Sequence, residues 1–184
     1  MSIMSYNLEL YGFMYSNKNI YWGGHSYKRV LDRQYPDEET SVTTCSTGAS
    51  DRTFIFIDTI KQSYFIDGTV TGHFKATNDS STTYDIGECG VKLAKIDRVG
   101  NITSLGGYMN DFAGYLYPNN ENYETLDFKF DIVEQEIKPY EKLLVVVRLT
   151  SGYNCHTADL VILHDIFTNY GYDLYIKIPL TLTV

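Results

Sequence analysis

The stretch from Leu126 to Leu149, LDFKFDIVEQEIKPYEKLLVVVRL, constrains the fold more than any other part of the chain. Leu126, Phe128, Phe130 and Ile132 alternate with Asp127, Lys129 and Asp131. A period of two sets the four apolar side chains on one face of a pleated strand and leaves the other face to water. Beyond Glu134-Gln135-Glu136 and Pro139, the run from Leu143 to Val147 is apolar at every position and rich in Val. That is the composition of a strand covered on both faces. Pro139 before the run and Ser151-Gly152 after it leave too little length for a helix. Both segments are expected as core strands of a β-sandwich.

Short strands separated by turn residues continue this pattern from Thr53 onward: Thr53 to Ile57, Tyr64 to Lys75, Val91 to Ile96, Ile102 to Leu105 and Asp159 to Leu163. Gly68 and Gly72 inside the second mark bulges or a close backbone approach, and Gly100-Asn101 supplies a tight reversal. At the end of the sequence Leu174, Ile176, Ile178, Leu180, Leu182 and Val184 alternate with Tyr175, Lys177, Pro179, Thr181 and Thr183. Pro179 places this strand at a sheet edge or at a bulge, and an edge strand is a site where a second copy of the chain can pair. Tyr6 to Tyr15 reads as a strand with Leu8, Leu10, Gly12 and Met14 on one face. Ser26 reads as the cap of a short helix, with Tyr27, Val30 and Leu31 sharing a face. Residues 37 to 51 read as a loop or linker, and 106 to 123 as a long irregular segment. The expectation is an all-β, antiparallel β-sandwich or jelly roll over residues 51–184, preceded by an N-terminal arm and linker over 1–50.

Composition narrows the role. A net charge of -8 and no stripe of Lys or Arg argue against nucleic-acid binding. No apolar run reaches the ~20 residues of a membrane span, and the N-terminus lacks a signal-peptide pattern, so synthesis in the cytoplasm is expected. The chain holds 17 Tyr and 9 Phe. Tyr combines an apolar body with a polar tip, which suits contact surfaces as well as strands. Tyr11, Tyr15, Tyr21, Trp22, Tyr108, Phe112, Tyr115 and Tyr117 are the candidate interface residues, for protein contact or sugar stacking, and the alternative is that they close the ends of the sandwich.

Catalytic, cofactor and metal sites are not expected. Cys45, Cys89 and Cys155 are odd in number and lack paired spacing. Cys155, His156, Asp159, His164 and Asp165 gather nucleophile and base types, but without zinc-ligand spacing. Neighbours along a strand also point to opposite faces. Glu38-Glu39 and Glu134 with Glu136 lack a calcium-loop pattern, and no glycine-rich phosphate loop is present.

The hairpin VKLAKIDRVGNITSLGG, with Leu93, Ile96, Asp97 and Gly100 before Ile102 and Gly106, leads to the Pro-Tyr-Glu-Lys corner at 139 to 142 and the apolar strand. Together these resemble the galactose-binding-type jelly roll found as the non-catalytic C-terminal domain of some serine peptidases and esterases. In those the corner usually reads Gly-His followed by a basic residue; here Tyr140-Glu141-Lys142 stands instead. The pattern is also similar to β-sandwich structural proteins of tailed bacteriophages and archaeal viruses. With the altered corner and no hydrolase segment in these residues, the resemblance implies a virion structural protein and not an enzyme. It would assemble with other virion proteins and with copies of itself, as a capsid decoration or a head, neck or tail component. The alternative is a carbohydrate- or receptor-binding module that contacts a host-surface glycan.

Overall fold

The computed structural model describes residues 3–14, 18–34, 43–45, 50–58, 60–78, 84–107, 114–116, 124–151, 160–163 and 174–183. These residues contain fourteen strands and no helix: β1 (Ile3–Met14), β2 (Ile20–Trp22), β3 (His25–Tyr27), β4 (Arg29–Asp32), β5 (Thr43–Cys45), β6 (Ser50–Phe56), β7 (Tyr64–Asn78), β8 (Tyr84–Ile96), β9 (Ile102–Gly107), β10 (Gly114–Leu116), β11 (Glu124–Ile137), β12 (Lys142–Ser151), β13 (Leu160–Leu163) and β14 (Leu174–Thr183). No helix among the described residues is long and apolar enough to cross a membrane.

Twelve strands join in one sheet, ordered β10-β8-β12-β6-β4-β1-β14-β7-β13-β5, with β11 on β7 and β9 on β8; β2 and β3 form a separate hairpin. Described strand pairs are antiparallel except β4 with β6, where Val30 faces Ile55 and Leu31 faces Phe56. The sheet curls until β9 meets β11, Gly106 lying against Ile132 and Gly107 against Phe130. This sets β11-β7-β14-β1 over β6-β12-β8-β9, the two layers of the expected sandwich.

The alternating patterns fill the space between the layers. Leu126, Phe128 and Ile132 of β11 are buried, as are Leu174, Ile176, Ile178 and Leu180 of β14. Leu143, Val145 and Val147 join the same core, whereas Leu144 belongs to a second cluster with Tyr27, Val30, Ile55, Ala94 and Ile96. The run 143–147 is thus buried on one face at Leu143, Val145 and Val147 and on the other at Leu144, with Val146 half-buried, and the second cover is the β2-β3 side of the molecule.

Three strands bend together at Gly68. Gly68 has φ 120° and faces Pro179; the β14-β7 register shifts between Lys177 and Leu180, and the β11-β7 register shifts between Ile132 and Gln135. Asp67 holds the second bulge by accepting a hydrogen bond from the Glu134 amide at 3.2 Å. Gly72 is instead a close approach: a Cβ there would collide with the Tyr175 carbonyl and the Phe128 ring. The hairpin at Gly100 closes around Asp97, whose carboxylate accepts from the amides of Val99 and Asn101 at 3.0 and 2.9 Å and from Asn101 Nδ2 at 2.8 Å. The Asn101 side chain, with its amide next, holds the Asp97 carboxyl below its ordinary pKa.

Several local expectations are corrected. No helix follows Ser26: Tyr27 ends β3, and Val30 and Leu31 lie in β4, both fully buried but in different clusters. Pairing of β4 with β1 on one side and β6 on the other supplies backbone partners that a single turn of helix lacks, so tertiary context overrides the helical spacing. Part of the stretch 37–51 is strand, since Thr43–Cys45 pairs with β13 and β6 starts at Ser50. Within 106–123, Gly106 and Gly107 finish β9, and Gly114–Leu116 pairs with β8. The terminal strand is not an edge, because β14 runs between β1 and β7; Pro179 is accommodated by the bulge. β1 itself pairs with β14 from Ile3 opposite Thr183 to Tyr11 opposite Tyr175, so this early segment shares the sheet and the core with later strands.

Candidate functional site

β6 leaves the sheet at Phe56, and the chain reaches β7 at Tyr64 through a short connection pinned from three sides. The Ile57 amide donates to the Leu31 carbonyl at 3.1 Å, and the Tyr140 amide to the Ile60 carbonyl at 2.7 Å. The Lys142 ammonium donates to three successive carbonyls, those of Phe56 (3.3 Å), Ile57 (2.7 Å) and Asp58 (2.9 Å). Lys142 is buried, and burial holds its pKa below the ordinary lysine range, with the Asp58 charge opposing that fall. Its Nζ also lies 4.9 Å from the centre of the Trp22 ring.

This connection forms one wall of a groove of about 570 Å³ whose other walls come from β1, β14 and the end of β4. Leu8, Phe56, Ile60 and Leu180 make an apolar floor and are buried. At the rim, Arg33 Nε approaches Asp58 Oδ2 at 3.5 Å, and the Arg33 guanidinium lies 5.9 Å from the centre of the Phe56 ring. Lys61 and Tyr6 complete the rim on the solvent side.

Tyr64 also lines the groove, with only 6% of its surface exposed. Its hydroxyl is buried without a hydrogen-bond partner among the described residues. Burial pushes its pKa far above the ordinary tyrosine range; Tyr6 adds to the rise and Arg33 opposes it. A buried polar atom with no partner is rare in a folded protein and marks a place where a ligand or ordered water belongs.

The residues singled out from sequence lie elsewhere. Tyr11 is half-buried on the outer face of β1, in a row that crosses the sheet: its ring is 5.6 Å from Tyr175, which is 5.6 Å from His73. Tyr21 is exposed on β2, whereas Trp22 packs against the second core cluster and over Lys142. Tyr115 lies in β10 opposite Asp85. Tyr15, Tyr108, Phe112 and Tyr117 fall outside the described residues, as do Cys155, His156, Asp159, His164 and Asp165. Among the described residues no group of three or more metal-ligating side chains converges. Sequence reasoning missed the groove because its walls come from four separate segments, and its one local trace, the basic residue Arg33, reads on its own as part of a solvated face.

No protein-family model and no curated protein sequence matches the chain. Solved structures match in fold. An aminopeptidase from a marine-sediment Thaumarchaeota archaeon aligns with a TM-score of 0.59 at 10% identity, over 96% of this chain and 37% of its own. A CocE/NonD family hydrolase from Staphylococcus aureus aligns at 0.54 and 13% identity, again over 96% of this chain and 37% of its own. The chain therefore spans little more than a third of either protein.

The expectation that the chain is not an enzyme is corrected by these likenesses, since proteins that carry its fold across nearly its whole length are hydrolases. Alternating strands carry no chemical signature, so absence of a catalytic motif in them gave no ground for separating the chain from hydrolytic enzymes.

Proposed function

We propose that this chain is the β-sandwich part of a hydrolytic enzyme and holds a small ligand in the groove between β1, β14 and the connection from β6 to β7. One observation carries the reading: the Tyr64 hydroxyl, buried at the groove and without a partner among the described residues. Leaving such a group unpaired costs about 1–3 kcal/mol, which a ligand that reaches it removes. The groove volume of about 570 Å³ suits this use, because small-molecule sites span roughly 300–1,000 Å³. Its wall is set in advance by the Lys142 clamp on three carbonyls, and a pre-formed wall lowers the ordering cost of binding. The hydrolytic setting is supported by the 37% share that this fold takes in each of the two hydrolases.

A mixture of small fragments titrated into isotope-labelled protein tests the reading. Amide shifts should gather at residues 6–8, 56–64 and 180–182, and Tyr64→Phe should weaken binding while the fold persists. Shifts scattered over the surface, or none at millimolar fragment, sink it. The alternative of sugar contact has the Tyr11-Tyr175-His73 row as its support, and a place in a virus particle has composition alone. Both rank behind the groove because neither has a cavity with a buried unpaired group at its wall; Trp22 Nε1, also buried without a partner among the described residues, lies outside the groove lining.

A further inference from the structure

One end of the sandwich carries three turns in mutual contact: the connection from β6 to β7, the turn at 97–101 between β8 and β9, and the corner at 138–141 before β12. The Arg98 guanidinium lies 3.9 Å from the centre of the Tyr140 ring, and the Tyr140 amide donates to the Ile60 carbonyl at 2.7 Å. Large apolar side chains stand outward here. Val99 is 80% exposed, Ile102 54% and Tyr140 46%. Tyr140 keeps its ring at this surface with φ 67°, a conformation that suits Gly better.

Each turn also holds one acid and one base: Asp58 and Lys61, Asp97 and Arg98, Glu141 and Lys138. The acids are engaged within the molecule. Asp58 meets Arg33 at 3.5 Å, Asp97 accepts from the amides of Val99 and Asn101, and Glu141 meets Lys95 Nζ at 3.0 Å. The bases are exposed and make no ion pair among the described residues. With the pairs Arg33–Asp58 and Lys95–Glu141 cancelled, Lys61, Arg98 and Lys138 stand against Asp97 alone, so this end is positive in a chain whose net charge is -8.

Apolar tips ringed by unpaired bases match the chemistry of an anionic lipid surface, where apolar side chains enter the headgroup layer and bases meet its negative charge. Tyrosine in particular settles at that depth. Independently of the groove, we infer that this end of the sandwich docks on an anionic bilayer, with Val99, Ile102 and Tyr140 entering the headgroup layer and Lys61, Arg98 and Lys138 on its phosphates and carboxylates. No spanning segment is involved. Val99 and Tyr140 project singly from separate turns; single tips fit a medium that yields around them, whereas a protein partner needs a shaped pocket for each.

Flotation of the protein with vesicles of phosphatidylcholine alone and of phosphatidylcholine mixed with phosphatidylserine tests the inference. The protein should float with the mixed vesicles and not with the neutral ones, and added salt should release it. Arg98→Gln and Lys138→Gln should each weaken binding about five-fold, the worth of one basic side chain near such a surface. Val99→Asp removes an apolar tip and adds a repelled charge, and should weaken it about ten-fold or more. Lys129→Gln, exposed on β11, should leave binding unchanged. A nitroxide-labelled lipid in the mixed vesicles should broaden the amides of residues 98–102 and 138–141 first. An equal loss in Lys129→Gln, or broadening centred elsewhere, overturns the placement. Equal binding to neutral vesicles overturns the anionic assignment, and binding to neither kind at low salt overturns the inference and leaves these turns to a protein partner.

Discussion

Tyr140 adopts φ 67°, a region that bulky residues enter rarely. Its position is the one at which the resembling jelly rolls usually place Gly, and the positive φ is the physical reason a Gly suits this corner. Here the strain is offset by contacts. The Arg98 guanidinium lies 3.9 Å from the centre of the Tyr140 ring, and the Tyr140 amide donates to Ile60. Relief of strain and loss of the cation–π contact are each worth about 1 kcal/mol, so Tyr140→Gly should change stability by less than about 1 kcal/mol. Tyr140→Val loses the ring and keeps the strain, and should cost about 1–3 kcal/mol by urea denaturation. Pro139 made the break in the chain legible from sequence. The sign of φ at the next residue was not, because nothing in a Tyr announces it.

Among the strands, legibility followed the range of the interactions involved. The alternation in β11 and β14 and the all-apolar run in β12 depend on which faces are covered, and the side chains of each strand record that directly. β3 and β4 do not record theirs: their helix-like spacing arises from two short strands joined at Lys28. Lys142 is a further case. In sequence it is the last polar residue before an apolar run, yet it folds inward and gathers the carbonyls of a segment more than eighty residues away. It thereby fixes the exit of β6 against Trp22 and shapes the groove wall. Lys142→Met keeps the apolar stem and leaves the carbonyls without their donor. It should cost about 2–4 kcal/mol in chemical denaturation, with amide shifts centred on residues 56–58.

At the scale of the whole molecule, stability at high pH reports on the groove. Burial raises the pKa of Tyr64, and to a lesser extent acts in the same direction on Tyr27 and Tyr175. A tyrosine whose folded pKa exceeds its unfolded value, about 10, contributes stability that is complete below that pH and is lost as pH rises towards the folded value. Unfolding free energy should therefore fall above about pH 10, and less steeply in Tyr64→Phe, when urea midpoints are compared from pH 8 to 12. Lys142 acts in the opposite sense: its folded pKa is depressed, so its contribution rises with pH up to the free lysine value near about 10.4. The comparison with Tyr64→Phe cancels that part.

The pairing of β1 with β14 has a kinetic consequence. β1 must wait for a strand made long after it, with only β4 beside it among the described strands in the interval. Leu8 and Leu10 stay uncovered until β14 has been made, so the sheet is completed late, by joining the first of its strands to the last. A polypeptide that continues beyond both strands also meets this unit at a single place, and can carry it as a pendant without rerouting its own backbone.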